Sequence, residues 1–83
     1  MKFIYAVRFE DIDLFTKPRL AVEFAQKFFP EFTVDIPLDF EENTPISEIS
    51  TEKLISLLNK EPLLELREGK DRVRLVKKEL LTS

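Results

Sequence analysis

A single glycine occurs in the 83 residues, Gly69, and it stands between two runs that alternate apolar and charged side chains, "LLELRE" before it and "DRVRLV" after Lys70. Glycine enters positive φ without steric cost, and a two-residue hairpin loop with glycine first requires that conformation. The turn therefore sets a register. Leu66 opposes Val73 and Leu64 opposes Leu75 on one face, while Glu65 opposes Arg74 and Arg67 opposes Arg72 on the other. A slip of one residue would mix the two faces. The first charged pair is favourable and the second is a like-charge pair.

The remaining chain must supply a core from few residues, because a domain of this size buries only about 60–65% of the surface its unfolded chain exposes. Eight Phe and a 43% apolar share provide it. "KFIYAVRF", residues 2–9, is β-branched and aromatic on both alternating sets, which predicts a central strand. Phe3, Tyr5, Val7 and Phe9 are expected in the core and Ile4, Ala6 and Arg8 on the open face. "EDIDLF" reads as a loop leading to a helix over 17–29, with Thr16 as its N-cap and Phe15 stapling onto Leu20. Leu20, Ala21, Phe24, Ala25 and Phe28 form the buried stripe, leaving Val22 and Phe29 as an apolar edge.

"FTVDIPLDF", residues 32–40, alternates throughout, so Phe32, Val34, Ile36, Leu38 and Phe40 share a dry face. Pro37 removes a ladder donor and places this strand at a sheet edge or at a bulge. After the loop "EENTPIS", Ser50 caps a second helix over 51–60, which buries Leu54, Ile55, Leu57 and Leu58 and ends before Pro62. The expected order is β-α-β-α-β-β. It describes one domain over 1–83 of the α+β class: a two-layer α/β sandwich with a mixed four-stranded sheet and two helices on one face.

Composition removes several functions. Cysteine and histidine are both absent, so no thiolate metal site, disulfide or common acid–base catalyst is available, and no phosphate-binding glycine loop or nucleophile elbow occurs. The expectation is a non-enzymatic protein with no cofactor. The first apolar run is too short, and too soon acidic, for a signal peptide or a membrane span, so a cytoplasmic protein that does not enter a membrane is expected. Gly, Gln and Met each occur once against 35% charged residues, a balance that leans toward heat-tolerant proteins.

Charge is segregated along the sequence. No basic residue lies between Lys27 and Lys53, whereas residues 63–83 carry six basic and four acidic groups in a chain of net charge −3. Two candidate sites follow. Arg67, Lys70, Arg72 and Arg74 form a basic cluster that could hold an anion or a partner. Asp35, Asp39, Glu41 and Glu42 form an acidic segment suited to a basic partner. They do not suit a metal: Asp35 and Asp39 lie roughly 13 Å apart along a strand, and a calcium loop would need a glycine turn that is missing here.

In topology alone this element order is similar to Alba chromatin proteins, to the C-terminal domain of translation initiation factor three, and to small sulfur-carrier proteins. The chain lacks the Cys-Pro motif of the sulfur carriers and the strong positive charge of the two nucleic-acid binders, so the likeness stops at topology. The stretch from Thr44 to Val76 also resembles a winged helix, a helix followed by a basic hairpin. Its would-be recognition helix, however, presents one or two lysines and no base-reading surface. The functional expectation is therefore a protein-interaction domain, acting on itself as a homodimer or on a partner protein. It would work through the open sheet face, an edge strand or the acidic central segment. Nucleic-acid binding by the basic hairpin is the alternative, opposed by the acidic balance of the whole chain.

Overall fold

A computed structural model describes residues 2–36 and 43–80. Along them run strand β1 (Lys2–Arg8), strand β2 (Ile12–Phe15), helix α1 (Pro18–Phe28), strand β3 (Thr33–Ile36), a 3-10 turn (Ile46–Glu48), helix α2 (Thr51–Lys60), strand β4 (Leu63–Glu68) and strand β5 (Asp71–Leu80). The strands form one sheet in the order β2-β1-β5-β4-β3. Every pairing is antiparallel. The α+β class is as expected, but the sheet has five strands, not four, and it is not mixed.

The departure begins at β2. "EDIDLF" was expected as a loop, yet Ile12–Phe15 folds back on β1 with Ala6 opposite Leu14 and Arg8 opposite Ile12. This hairpin reverses the chain before α1 begins. The strand after α1 therefore runs opposite to β1 and in the direction of β2, at the far edge of the sheet, while β3 and β4 pair antiparallel although α2 lies between them, so no two adjacent strands are parallel. With β2 inserted, the topological likeness to Alba and the sulfur carriers lapses. β1 lies inside the sheet as expected, although the central position belongs to β5.

The hairpin of β4 and β5 has the register its turn dictates, including Leu66 opposite Val73 and Arg67 opposite Arg72. Gly69 has φ +58°, and no other described residue has positive φ. Tyr5, Val7, Leu64, Leu66, Val73 and Leu75 come from one alternation set of these strands. They join Ala21, Val22, Ala25, Leu54 and Leu58 of the helices in one buried core. Phe9 was expected there too. It falls beyond the end of β1, stays 43% exposed and packs on Phe29 with ring centroids 5.3 Å apart.

Helix α1 is rotated from its expected setting. Val22 is fully buried, whereas Leu20 and Phe28 of the expected stripe are 47% and 57% exposed. The cause is a second wall: Ile46 of the 3-10 turn, Ile49 just after it, and Leu54 and Leu58 of α2 share one buried cluster with Val22. Gln26 fastens that wall, its Nε2 donating to the carbonyls of Ile46 (3.0 Å) and Ile49 (2.8 Å) while its Oε1 accepts from the Thr51 hydroxyl (3.0 Å). The helix also starts one residue later than Thr16 would cap. Lys17 is its N-cap, with no side-chain bond, and Pro18 opens the first turn. Phe15 packs on Phe24, 5.2 Å between ring centroids.

Helix α2 spans the expected residues, and the Ser50 hydroxyl accepts from the Lys53 amide at 3.2 Å. Leu54 and Leu58 are buried, with Ile55 and Leu57 packed against the core. Across the two helices Arg19 donates to Glu52 at 2.7 Å. That hydrogen bond, helped by a backbone bond and the Arg19 charge, holds the Glu52 carboxyl below its usual range, and Glu52 in turn raises Arg19. Strand β3 lies at the sheet edge and carries an irregularity between Val34 and Ile36. The alternation expected over 32–40 breaks there: Val34 faces the core, but Ile36 comes to lie opposite Glu65 and is 36% exposed. Residues 37–40 of the expected strand lie outside the described residues.

Candidate functional site

The second alternation set of the sheet stands outside the core cluster between sheet and helices, and its chemistry follows from the pairing. Lys2, Ile4, Ala6 and Arg8 of β1 stand opposite Leu80, Lys78, Val76 and Arg74 of β5. On one side of them lie Ile12 and Leu14 of β2, and on the other Leu63, Glu65 and Arg67 of β4. Among the described residues of these strands, this face holds six basic side chains (Lys2, Arg8, Arg67, Arg72, Arg74, Lys78) and one carboxylate, Glu65. The chain as a whole has a net charge of −3. An acidic molecule has thus collected nearly half its cations on one side of its sheet.

Between the cations runs an aliphatic hollow of about 300 Å³, lined by Ile4, Ala6, Ile12, Leu14 and Val76 and flanked by Arg8 and Lys78. Ile12 and Leu14 are 58% and 60% exposed. Isolated exposed aliphatics are ordinary, but a contiguous set on adjacent strands is the usual mark of an interaction surface.

At the end of the face nearest the Gly69 turn, the arginines are ordered around Glu65. Its side chain is 5% exposed, its Oε1 accepts from Arg72 at 3.0 Å, and its Oε2 lies 3.5 Å from the Nε of Arg74. The Arg67–Arg72 like-charge pair is relieved by divergence: Arg67 turns its Nε to the Gly69 carbonyl at 3.1 Å, while Arg72 reaches diagonally to Glu65. Arg8 stands directly opposite Arg74. Arg8, Phe9, Arg72 and Arg74 line a polar hollow of about 190 Å³.

Of the four basic residues singled out from sequence, Arg72 and Arg74 are brought together with Arg8. Arg67 lies on the same face but is held to the turn, and Lys70 is exposed in the turn itself, outside the hollow. Sequence reasoning put Arg8 on the open face without linking it to the hairpin arginines. The link depends on β1 lying beside β5, which no local pattern encodes. Of the acidic segment, Asp35 sits partly buried at the irregularity of β3. Asp39, Glu41 and Glu42 lie outside the described residues.

No protein-family model, curated protein or solved structure matches this chain. The reading of the face therefore stands on its chemistry alone. Among the described residues no helix is long and apolar enough to cross a membrane.

Proposed function

We propose that the chain is a non-catalytic protein-interaction domain in which both helices cover one side of the sheet and the other side receives an acidic partner protein. The observation that carries this is the charge of the open face: six basic groups around an aliphatic hollow, in a chain that is negative overall. Aliphatic contact supplies area, and opposite charge selects the partner and speeds encounter.

The same observation narrows the homodimer expectation. Two copies meeting face to face would set six cations against six, a like-charge arrangement that costs several kcal/mol by general experience of mismatched interfaces. The occupant is a different, acidic surface. Nucleic acid is also anionic, but single-stranded binders stack bases on aromatic rings, and this face presents Ile, Leu, Val and Ala between its cations.

The test is affinity capture from the native source with the intact chain, with Leu14→Asp and Arg74→Glu variants in parallel. The expected result is one acidic protein that binds the purified chain more weakly as salt rises and is lost with either variant. Capture undiminished by both variants, or salt-sensitive binding of oligonucleotides in place of protein, overturns the proposal. Sedimentation over a concentration series should show a monomer.

A further inference from the structure

We infer that Arg8, Arg72 and Arg74 form a preorganised pocket for a single oxyanion, a carboxylate or a phosphate group. The pocket lies on the face proposed for partner binding, but a free anion tests it whether or not that reading holds.

Three facts combine. The register fixes Arg8 opposite Arg74 on neighbouring strands, where directly opposed side chains have Cβ atoms only about 4.5–5.5 Å apart, and both line the same hollow with Arg72. Glu65 accepts from Arg72 and approaches Arg74 from the β4 side. Its carboxylate therefore orients two of the three guanidiniums, and it is not among the residues that line the hollow. The Arg8 side chain makes no hydrogen bond or ion pair with any described residue.

The result is three cations over one shared, nearly buried carboxylate. The surplus charge faces a hollow of about 190 Å³ that Phe9 also lines. Guanidinium groups held in place pair with planar or tetrahedral oxyanions through two parallel N–H···O bonds, and orientation by Glu65 lowers the entropy lost on binding. An anion seated there would turn the Arg8–Arg74 repulsion into attraction to a common counter-ion.

The experiment is nuclear magnetic resonance of the arginine Nε–Hε groups in the intact chain. Inorganic phosphate and acetate are titrated separately at ionic strength held constant with sodium chloride. The expected result is saturable shifts confined to Arg8, Arg72 and Arg74, with binding weakened roughly tenfold in Arg8→Gln. Arg67→Gln, whose guanidinium is turned away, should bind as the parent does. A preference for phosphate points to a phosphoryl source and a preference for acetate to a partner carboxylate, and each supports the pocket. Shifts that never saturate, or that survive unchanged in Arg8→Gln, overturn it. Because Arg8 is exposed at a strand end, its variant reads binding and not folding. The capture experiment can fail while this one succeeds, which separates the two claims.

Discussion

Glu65 is 4% exposed on a sheet face otherwise given to cations and aliphatics, and its burial is the work of its neighbours. Arg72 and Arg74 lie over its two oxygens and Ile36 stands opposite it on β3. Replacing it by Gln removes the charge that two arginines share. The expected loss is about 1–3 kcal/mol in chemical denaturation. Gly69 makes a second residue-scale prediction. A Cβ there would meet nothing within 4 Å, so any cost of Gly69→Ala is conformational, set by φ +58°. It should amount to about 1–2 kcal/mol, read as a lower denaturation midpoint with an unchanged denaturant slope.

At the scale of elements, the joint between α1 and the segment before α2 depends on one side chain. Gln26 satisfies two carbonyls and a hydroxyl there. Gln26→Leu leaves those groups without their partner and should cost about 1–3 kcal/mol, seen as reduced thermal stability. The Arg19–Glu52 bridge joins the same two helices at the surface. Because the folded-state pKa of Glu52 is lowered, its contribution is present at neutral pH and disappears as pH falls through that lowered value. Melting curves of the parent and Glu52→Gln should therefore differ slightly near neutrality and converge in acid.

These elements also show what could be read beforehand. The β4–β5 register and the bounds of α2 were legible because a glycine turn and a serine cap are local devices, complete within a few residues. The β2 strand was not. Its turn, Phe9–Asp11, has neither glycine nor asparagine, and its four residues carry only the alternation of Ile12 and Leu14 against Asp13 and Phe15. The rotation of α1 was hidden for another reason: a helix that packs on two walls buries a wider arc than its best stripe, and the second wall comes from residues 46–49. Ile36 was misplaced because a bulge shifts parity, and Pro37 signals an edge or a bulge without saying at which residue the parity changes. The candidate site was half legible. Arg72 and Arg74 are neighbours in sequence, whereas Arg8 reaches them only through a pairing between the two ends of the chain.

For the whole molecule, that pairing decides how the fold comes into being. The β1–β5 ladder runs from Lys2 opposite Leu80 to Arg8 opposite Arg74, so the most distant described strands lie side by side. Contacts of such long separation must close a large loop before they return any stability. Stopped-flow refolding is expected in the millisecond-to-second range, slow for a chain of this length. During synthesis the consequence is sharper. Strand β1, rich in Ile, Tyr, Val and Phe, leaves the ribosome before every other strand of this sheet and, until β5 follows, can pair only with the short β2. Until β5 emerges, the nascent chain carries one edge of its most adhesive segment bare.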